Sequence, residues 1–387
     1  MRQPEFYFMA LGGGQTVGAS CYYLRLKNTN IIFDAGIGIK REIINEPVFM
    51  PLLTSPLLLS LNQIDQIFIS HAHLDHSGYL LKLMAAATRA GVYMTEPTKL
   101  LIEHQLYNND KKYFSYYGTN EEQRLAAQYL LEQITKVSYM QSIKFNEYTA
   151  TFFQAGHIPG AMMIYIQCND KNILYTGDYS LHSTALTTGY ILPKDLKVDT
   201  LILCALHAKH PDYKRKNDTI YQQINYIYNR ASSGEIIFCH INQLSKGVEF
   251  LELMNANNSK HIPIFIDDEI MKTVEIMEKL SQPILTPDNH SINEIYRYNS
   301  GVVIFSSAYS AYKKKTDIDL QIDFSLHEDF DEMKNFIRLL NPKQAFVVHC
   351  AQPRFEDKNI TIEQHLMNDY SCRTQFTFVE EGFLYVL

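Results

Sequence analysis

The segment Ser70-His71-Ala72-His73-Leu74-Asp75-His76-Ser77-Gly78 holds three histidines and an aspartate within six positions. Imidazole nitrogen and carboxylate oxygen are both good ligands for zinc and related divalent ions. A mononuclear catalytic site takes about three protein ligands and leaves one position open for water. Four donors packed this closely therefore imply two metals rather than one.

The surrounding residues say how the donors are held. Gln66-Ile67-Phe68-Ile69-Ser70 is a β-rich run, which puts His71 at a strand end. Residues i and i+2 of an extended chain share a side, so His71 and His73 lie side by side. Asp75 and His76 follow where the chain turns, and Gly78 to Ala87 reads as a helix. A strand-to-helix loop on a rigid scaffold is a usual place for catalytic groups.

At 387 residues the chain is too long for one ordinary core, so two domains are expected. Composition is that of a globular protein, with 46% apolar residues. A strand, Glu5 to Leu11, stands almost at the first residue, with no basic and then apolar leader before it. Pro51 to Leu61 is apolar but short and broken by proline, so no membrane span is expected. The six cysteines are scattered without a C-x-x-C pair, as buried reduced thiols would be, and the expected compartment is the cytosol. A net charge of −7 argues against a protein that coats nucleic acid non-specifically. It leaves room for local basic rims, with Lys209 to Lys216 and Lys313-Lys314-Lys315 as candidates. No nucleic-acid-binding residue is assigned.

The His71–His76 pattern resembles the HxHxDH signature of the metallo-β-lactamase superfamily. Other pieces fall into order around it. Ile31-Ile32-Phe33-Asp34-Ala35-Gly36 resembles the superfamily's first motif, and Gln154-Ala155-Gly156-His157 its third. Leu174-Tyr175-Thr176-Gly177-Asp178 is similar to its fourth, and Ala345-Phe346-Val347-Val348-His349 to the final histidine-bearing strand. Each follows an apolar, β-branched or aromatic run, as a strand-end ligand should.

From residue 5 to about 203 strands and helices alternate, with Cys21 to Leu26 and Asn30 to Asp34 as a hairpin pair. Glu122 to Thr135 reads as a helix with Leu125, Tyr129 and Ile134 in its apolar stripe. After Cys204 a new strand–helix alternation runs to Ser307, the pattern of a parallel sheet covered by helices. The first domain then resumes through Phe324 to Asp329, a helix Phe330 to Leu340, and the strand carrying His349. The expected division is residues 1–203, an inserted 204–322, and a return segment 323–387. This layout resembles the β-CASP branch of the superfamily, the nucleic-acid-processing group of RNase J-like and polyadenylation-factor-like nucleases. Phe324-Ser325-Leu326-His327-Glu328-Asp329 matches the branch's motif B, and Val348-His349-Cys350 its motif C. The implied fold is α/β, a metallo-β-lactamase αββα sandwich with an inserted Rossmann-like domain.

The resemblance implies roles residue by residue. His71, His73 and His157 would bind one metal, Asp75, His76 and His349 the other, and Asp178 would bridge them. Asp34 would orient the histidines from behind, as metal sites commonly need. Asp75 and His327 are the catalytic candidates, with a metal-bound hydroxide as nucleophile and His327 as general acid. The substrate expected is single-stranded RNA, since a histidine in motif C favours RNA over DNA, and the products would carry 5′-phosphates. Nitrogen-rich ligation favours two zinc ions, with manganese as the alternative. Any homodimer would use the two domains themselves, because no extension follows the last strands.

There are departures. The motif A strand, Leu201 to His207, lacks its acid and has Cys204 in that place. Glu328, Asp329 and His207 are open alternatives for orienting His327. Leu181-His182-Ser183-Thr184 lacks the charged residues common after Asp178, and Ala308 to Tyr312 replaces a glycine-rich turn. Two other readings follow from these gaps: a weak or inactive partner subunit, and a metallohydrolase acting on DNA, another phosphodiester or a thioester.

Overall fold

The computed structural model describes residues 5–40, 43–107, 121–169, 171–211, 213, 217–241, 244–280, 283–301, 303–306, 317–322, 324–350, 364 and 373–387. The stretch Lys214 to Lys216, the Lys313–Lys315 run and the Ala308–Tyr312 turn lie outside the described residues.

The chain opens with β1 (Phe6–Gly12), β2 (Cys21–Leu26) and β3 (Thr29–Phe33), then a small pair, β4 (Gly38–Lys40) and β5 (Ile43–Asn45), and the short α1 (Met50–Leu53). Next come β6 (Gln66–Phe68), α2 (Leu74–Ser77), α3 (Leu80–Ala86), β7 (Gly91–Thr95), α4 (Glu96–Tyr107), α5 (Glu121–Glu132) and β8 (Thr135–Val137). A second run holds β9 (Ser142–Lys144), β10 (Thr149–Gln154), β11 (Met162–Cys168), β12 (Lys171–Tyr175) and β13 (Thr200–Cys204). A third holds α6 (Asn217–Ser232), β14 (Ile237–His240), α7 (Lys246–Ala256), β15 (Ile264–Ile266), α8 (Asp268–Leu280), β16 (Asn289–Ser291), β17 (Val303–Ser306) and β18 (Ile318–Gln321). The chain ends with α9 (Phe330–Leu340), β19 (Gln344–Val348), β20 (Gln375–Phe378) and β21 (Tyr385–Val386).

Two seven-stranded sheets form, in the orders β21-β1-β2-β3-β6-β7-β8 and β20-β19-β13-β12-β11-β10-β9. Their facing sides pack as one apolar layer, with Phe8, Tyr22, Phe33 and Phe68 of the first sheet against Phe152, Ile164, Tyr175 and Phe346 of the second. Alternation along each strand sends the other side chains outward, where helices cover them. α3 buries Leu80, Leu81, Leu83 and Met84, and α9 buries Phe330, Met333, Phe336, Ile337 and Leu340. Each such side chain contributes about 1.5–3 kcal/mol when fully removed from water. The result is the αββα sandwich that the motifs imply.

The third sheet, β16-β15-β17-β14-β18, is parallel throughout. The chain leaves the sandwich at β13, builds this sheet, and returns to β19, which pairs in parallel beside β13 with Cys204 opposite Val348. Exit and return are thus register neighbours. β3 and β6 are parallel, as are β12, β13 and β19, so their C-terminal ends gather on one rim.

One helix stripe differs from expectation. Leu125 and Tyr129 are exposed, and α5 instead packs through Ala127, Leu130 and Leu131. Ile134 is buried, but past the helix end. Apolar residues on both faces left the phase of this helix undetermined by pattern alone. Among the described residues the cysteines are free and buried, and no helix is long and apolar enough to cross a membrane.

Candidate metal centre

Every predicted ligand sits just past a strand on the same rim. Asp34 follows β3 in the left-handed region, at φ +58°. His71 lies three residues past β6, His73 precedes α2, and Asp75 and His76 lie within that one-turn helix. His157 follows β10, Asp178 follows β12, and His349 follows β19 at φ +50°. Backbone bonds clamp α2 to the loop after β3: Ala35 N donates to His76 O at 2.8 Å and Ile37 N to Leu74 O at 2.8 Å. A Cβ on Gly36 would lie 1.8 Å from Asp75 O, so only glycine allows this approach.

The donors converge in two groups. One is His71, His73, His157 and Asp178, the other Asp75, His76 and His349, and within each group the ligand atoms lie within 4.8 Å of one another. Asp178 divides its oxygens between them. Its Oδ2 is 3.7 Å from His71 Nε2 and 3.8 Å from His157 Nε2, whereas Oδ1 is 3.4 Å from His76 Nε2 and 4.0 Å from His349 Nε2. Asp75 Oδ2 is 3.7 Å from His349 Nε2.

Each imidazole has its outer nitrogen held and its inner nitrogen aimed at the centre. His71 Nδ1 meets Ser70 Oγ at 3.0 Å, His349 Nδ1 meets Ser20 Oγ at 2.9 Å, and His157 Nδ1 donates to Leu326 O at 3.1 Å. His76 Nδ1 donates to Asp34 Oδ2, leaving a buried Nε2 without a hydrogen-bond partner. His73 is turned the other way, with Nε2 3.4 Å from Ser245 Oγ and Nδ1 inward. That Nδ1 is 3.1 Å from both His71 Nε2 and His157 Nε2. Three inward nitrogens so close cannot all carry protons. Their spacing is near the roughly 3.3 Å between tetrahedral ligands placed about 2.0–2.1 Å from zinc. The donor set fits a divalent ion in each group.

Charge states agree. Burial holds His71 and His157 below the usual imidazole range, and burial with His157 beside it brings His73 to about 3. Neutral imidazole is the ligating form. Burial also disfavours charge on His76, but Asp178 and Asp34 outweigh it and push it up to about 10. Burial likewise opposes ionisation of Asp178, yet His76, His349 and His327 hold its carboxyl well below the usual carboxylate range. The negative charge around His76 is what a divalent ion would neutralise.

His327 stands at the mouth, with Nδ1 3.8 Å from Asp178 Oδ2 and its ring 4.5 Å from that of His157. Burial and His157 keep it well below the ordinary imidazole range. The α9 capping box fixes its approach, with Glu332 N donating to Asp329 Oδ1 at 3.0 Å and Asp329 N to Glu332 Oε2 at 2.8 Å. Asp329 is occupied as that cap. His207 stacks on Tyr213 at 3.7 Å, and His182 pairs with Glu332 on α9. Glu328 is 2% exposed, and its charge helps raise the buried Tyr179 and Cys204.

Cys204 does not replace the missing acid in kind. It is 3% exposed, and its thiol donates to Tyr175 Oη at 3.6 Å. Tyr175 in turn donates to Asp34, whose carboxylate also takes Ser70 N at 2.6 Å and Ser70 Oγ at 2.7 Å. Sequence reasoning missed Tyr175, Ser70 and Ser20 as supports. Their only signal is adjacency to the motifs.

A family model described as the metallo-beta-lactamase superfamily matches residues 14–216, more than half of the chain. The chain belongs to the metallo-beta-lactamase superfamily. The inserted parallel sheet between Asp178 and His349 is the layout of its β-CASP branch. The chain is 30% identical to a protein named Probable RNase MJ4 from Methanocaldococcus jannaschii, over 87% of this chain and 91% of that one. It is 26% identical to Endoribonuclease ysh1 from Aspergillus fumigatus, over 87% of this chain and 39% of that protein. With Endoribonuclease YSH1 from Saccharomyces cerevisiae the identity is 27%, over 69% and 35%. The chain thus spans under two fifths of these endoribonucleases. A solved structure of a protein of unknown function from Enterococcus faecalis V583 shares the fold, with TM-score 0.63, 13% identity, and 99% and 100% of the two chains covered.

Proposed function

We propose that this chain is a two-metal ribonuclease that hydrolyses phosphodiester bonds of single-stranded RNA and leaves 5′-phosphate and 3′-hydroxyl ends. The observation that carries the reading is Asp178, whose two oxygens face two separate groups of ligands. The RNase and endoribonuclease names of its relatives supply the substrate class.

In this reading His71, His73 and His157 hold one ion, Asp75, His76 and His349 the other, and Asp178 spans both. Two divalent ions there, zinc or alternatively manganese, would lower the pKa of water towards 7 and neutralise a phosphodiester. Asp34 locks the His76 ring, and Ser20 and Ser70 lock His349 and His71. Asp75 has a third of its side chain exposed and is placed to accept a proton from attacking water. His327, neutral in the free protein, would take up a proton beside the bound phosphodiester's negative charge and give it to the departing 3′ oxygen, an otherwise poor leaving group. The inserted unit, residues 204–322, brings Ser245 to 3.4 Å from His73 and would supply one wall of the RNA channel.

The test is hydrolysis by purified protein of single-stranded RNA, single-stranded DNA and a nitrophenyl phosphodiester, before and after chelation and zinc return. RNA cleavage that chelation abolishes and zinc restores is the expected result. Cleavage that persists without metal would refute the reading. Two zinc-free groups and no cleavage of any substrate would favour an inactive partner subunit.

A further inference from the structure

A cavity of about 350 Å³ lies between α6, α7 and the segment leading to His327. Its walls include Ile220, Tyr221, Leu253, Phe324, Glu249 and Ser325. That volume lies in the range of small-ligand sites. Two chain connections tie it to the metal centre. Ser325 and Leu326 precede His327 directly, and Leu326 O accepts from His157 Nδ1. Ser245, the residue that precedes α7, lies 3.4 Å from His73, and Glu249 stands four residues further on, about 6 Å along the helix. The cavity is therefore one short step from the place where a bond would be cut.

Its chemistry suits a base and not a phosphate. Among the described residues no lining residue is lysine or arginine, Lys246 Nζ is spent over the ring of Phe324 at 5.7 Å, and Glu249 brings a carboxylate. Tyr221 is 49% exposed on the rim, an aromatic face on which a base can stack. Glu249 is 4% exposed and fixed, because Ala185 N donates to its Oε1 and Leu186 N to its Oε2 at 3.2 Å. Thr184 adds a side-chain contact to the same carboxyl, whose remaining lone pairs face the cavity.

We propose that this cavity holds the base of a nucleotide flanking the cleaved bond and selects guanine through Glu249. Guanine alone offers two adjacent donors, N1–H and N2–H, to a two-oxygen acceptor. Adenine and cytosine set an acceptor beside their amino group, and uracil has one donor between two carbonyls; a fixed carboxylate repels those acceptors. The placement beside a cleaved bond rests on the ribonuclease reading, whereas the guanine preference does not.

The test is calorimetric titration, at a pH above about 8 where Glu249 is ionised, of the zinc-loaded full chain with guanosine, inosine, adenosine and uridine. Guanosine should bind at least about tenfold more tightly than inosine, which lacks only the 2-amino group. Glu249→Gln should close that gap. Tyr221→Ala should weaken every nucleoside and Tyr221→Phe should restore binding, a pair that serves if Glu249→Gln does not fold. Equal binding of guanosine and inosine, or no nucleoside binding, overturns the proposal. A parallel series of RNAs varied at one nucleotide beside the cut should show a guanine preference that Glu249→Gln erases. Guanosine binding with no RNA cleavage would support the guanine pocket and sink the ribonuclease reading. Cleavage without base preference or guanosine binding would do the reverse.

Discussion

His76 Nδ1 donates to Asp34 Oδ2 across 2.7 Å, and that one carboxylate also receives Ser70 N, Ser70 Oγ and the Tyr175 hydroxyl. Four donors on two oxygens require an ionised acceptor. Asparagine would keep the left-handed backbone at this position but would turn an amide NH2, itself a donor, towards the donors. Asp34→Asn should therefore weaken metal binding about 10–100-fold, read by chelator competition. Unchanged metal affinity would refute its supporting role.

Asp178 belongs to one ligand group and turns its other oxygen to His76 and His349 of the second. Asp178→Ala should reduce bound zinc below two per chain by elemental analysis. RNA cleavage should fall by at least about 100-fold, since even residues behind the ligands cost 10–100-fold. Two tightly held ions in this variant would contradict the bridging role.

His327 touches no predicted ligand group except through Asp178 and His157. His327→Ala should keep both metals and lower kcat on RNA about 10²–10⁴-fold. The loss should shrink on a nitrophenyl phosphodiester, whose leaving group needs no proton. Equal losses on both substrates would argue against proton donation.

Glu249 gives a pH signature of stability. Burial raises its carboxyl from 4.5 to about 7 against the opposing pull of Ala185 and Leu186 N–H groups. The folded state thus binds the proton more tightly than the unfolded one. Its contribution is full below pH 4.5 and is lost as pH rises to 7. Relative to Glu249→Gln, the wild type should lose about 3 kcal/mol between pH 4.5 and 8, measured by denaturant unfolding. A difference between the two that stays flat with pH would refute this.

Cys204 sits in an apolar layer with Ile202, Phe346 and Val348. Restoring the family's acid as Cys204→Asp would bury a second carboxylate close to Asp34, with Tyr175 already committed. We expect a stability loss of about 3–5 kcal/mol, seen as a lower unfolding midpoint. Cys204→Ser should cost far less.

The strand-end motifs were legible because each ligand follows an apolar run that can only be a buried strand. β14, β15 and β17 were legible for the same reason, whereas β16 and β18, short and only half-buried, were not read; α9 matches its expected bounds at both ends. Leu125 and Tyr129 misled because amphipathicity is weak where a helix has apolar residues all round. Tyr175, Ser20 and Ser70 were invisible because their value lies in partners distant in sequence. Ser20 meets His349 across 329 positions, and Tyr175 meets Asp34 across 141. Glu249 likewise looks like any helix carboxylate until α7 packs on residues 185 and 186.

The register neighbours β13 and β19 carry one more consequence. His71, His73, His157 and Asp178 all precede the inserted unit, whereas His349 arrives only when the chain has returned. During synthesis a ribosome therefore releases one ligand group long before it can complete the other. A chain halted within the insertion would carry the His71, His73, His157 and Asp178 group but would still lack His349 of the other.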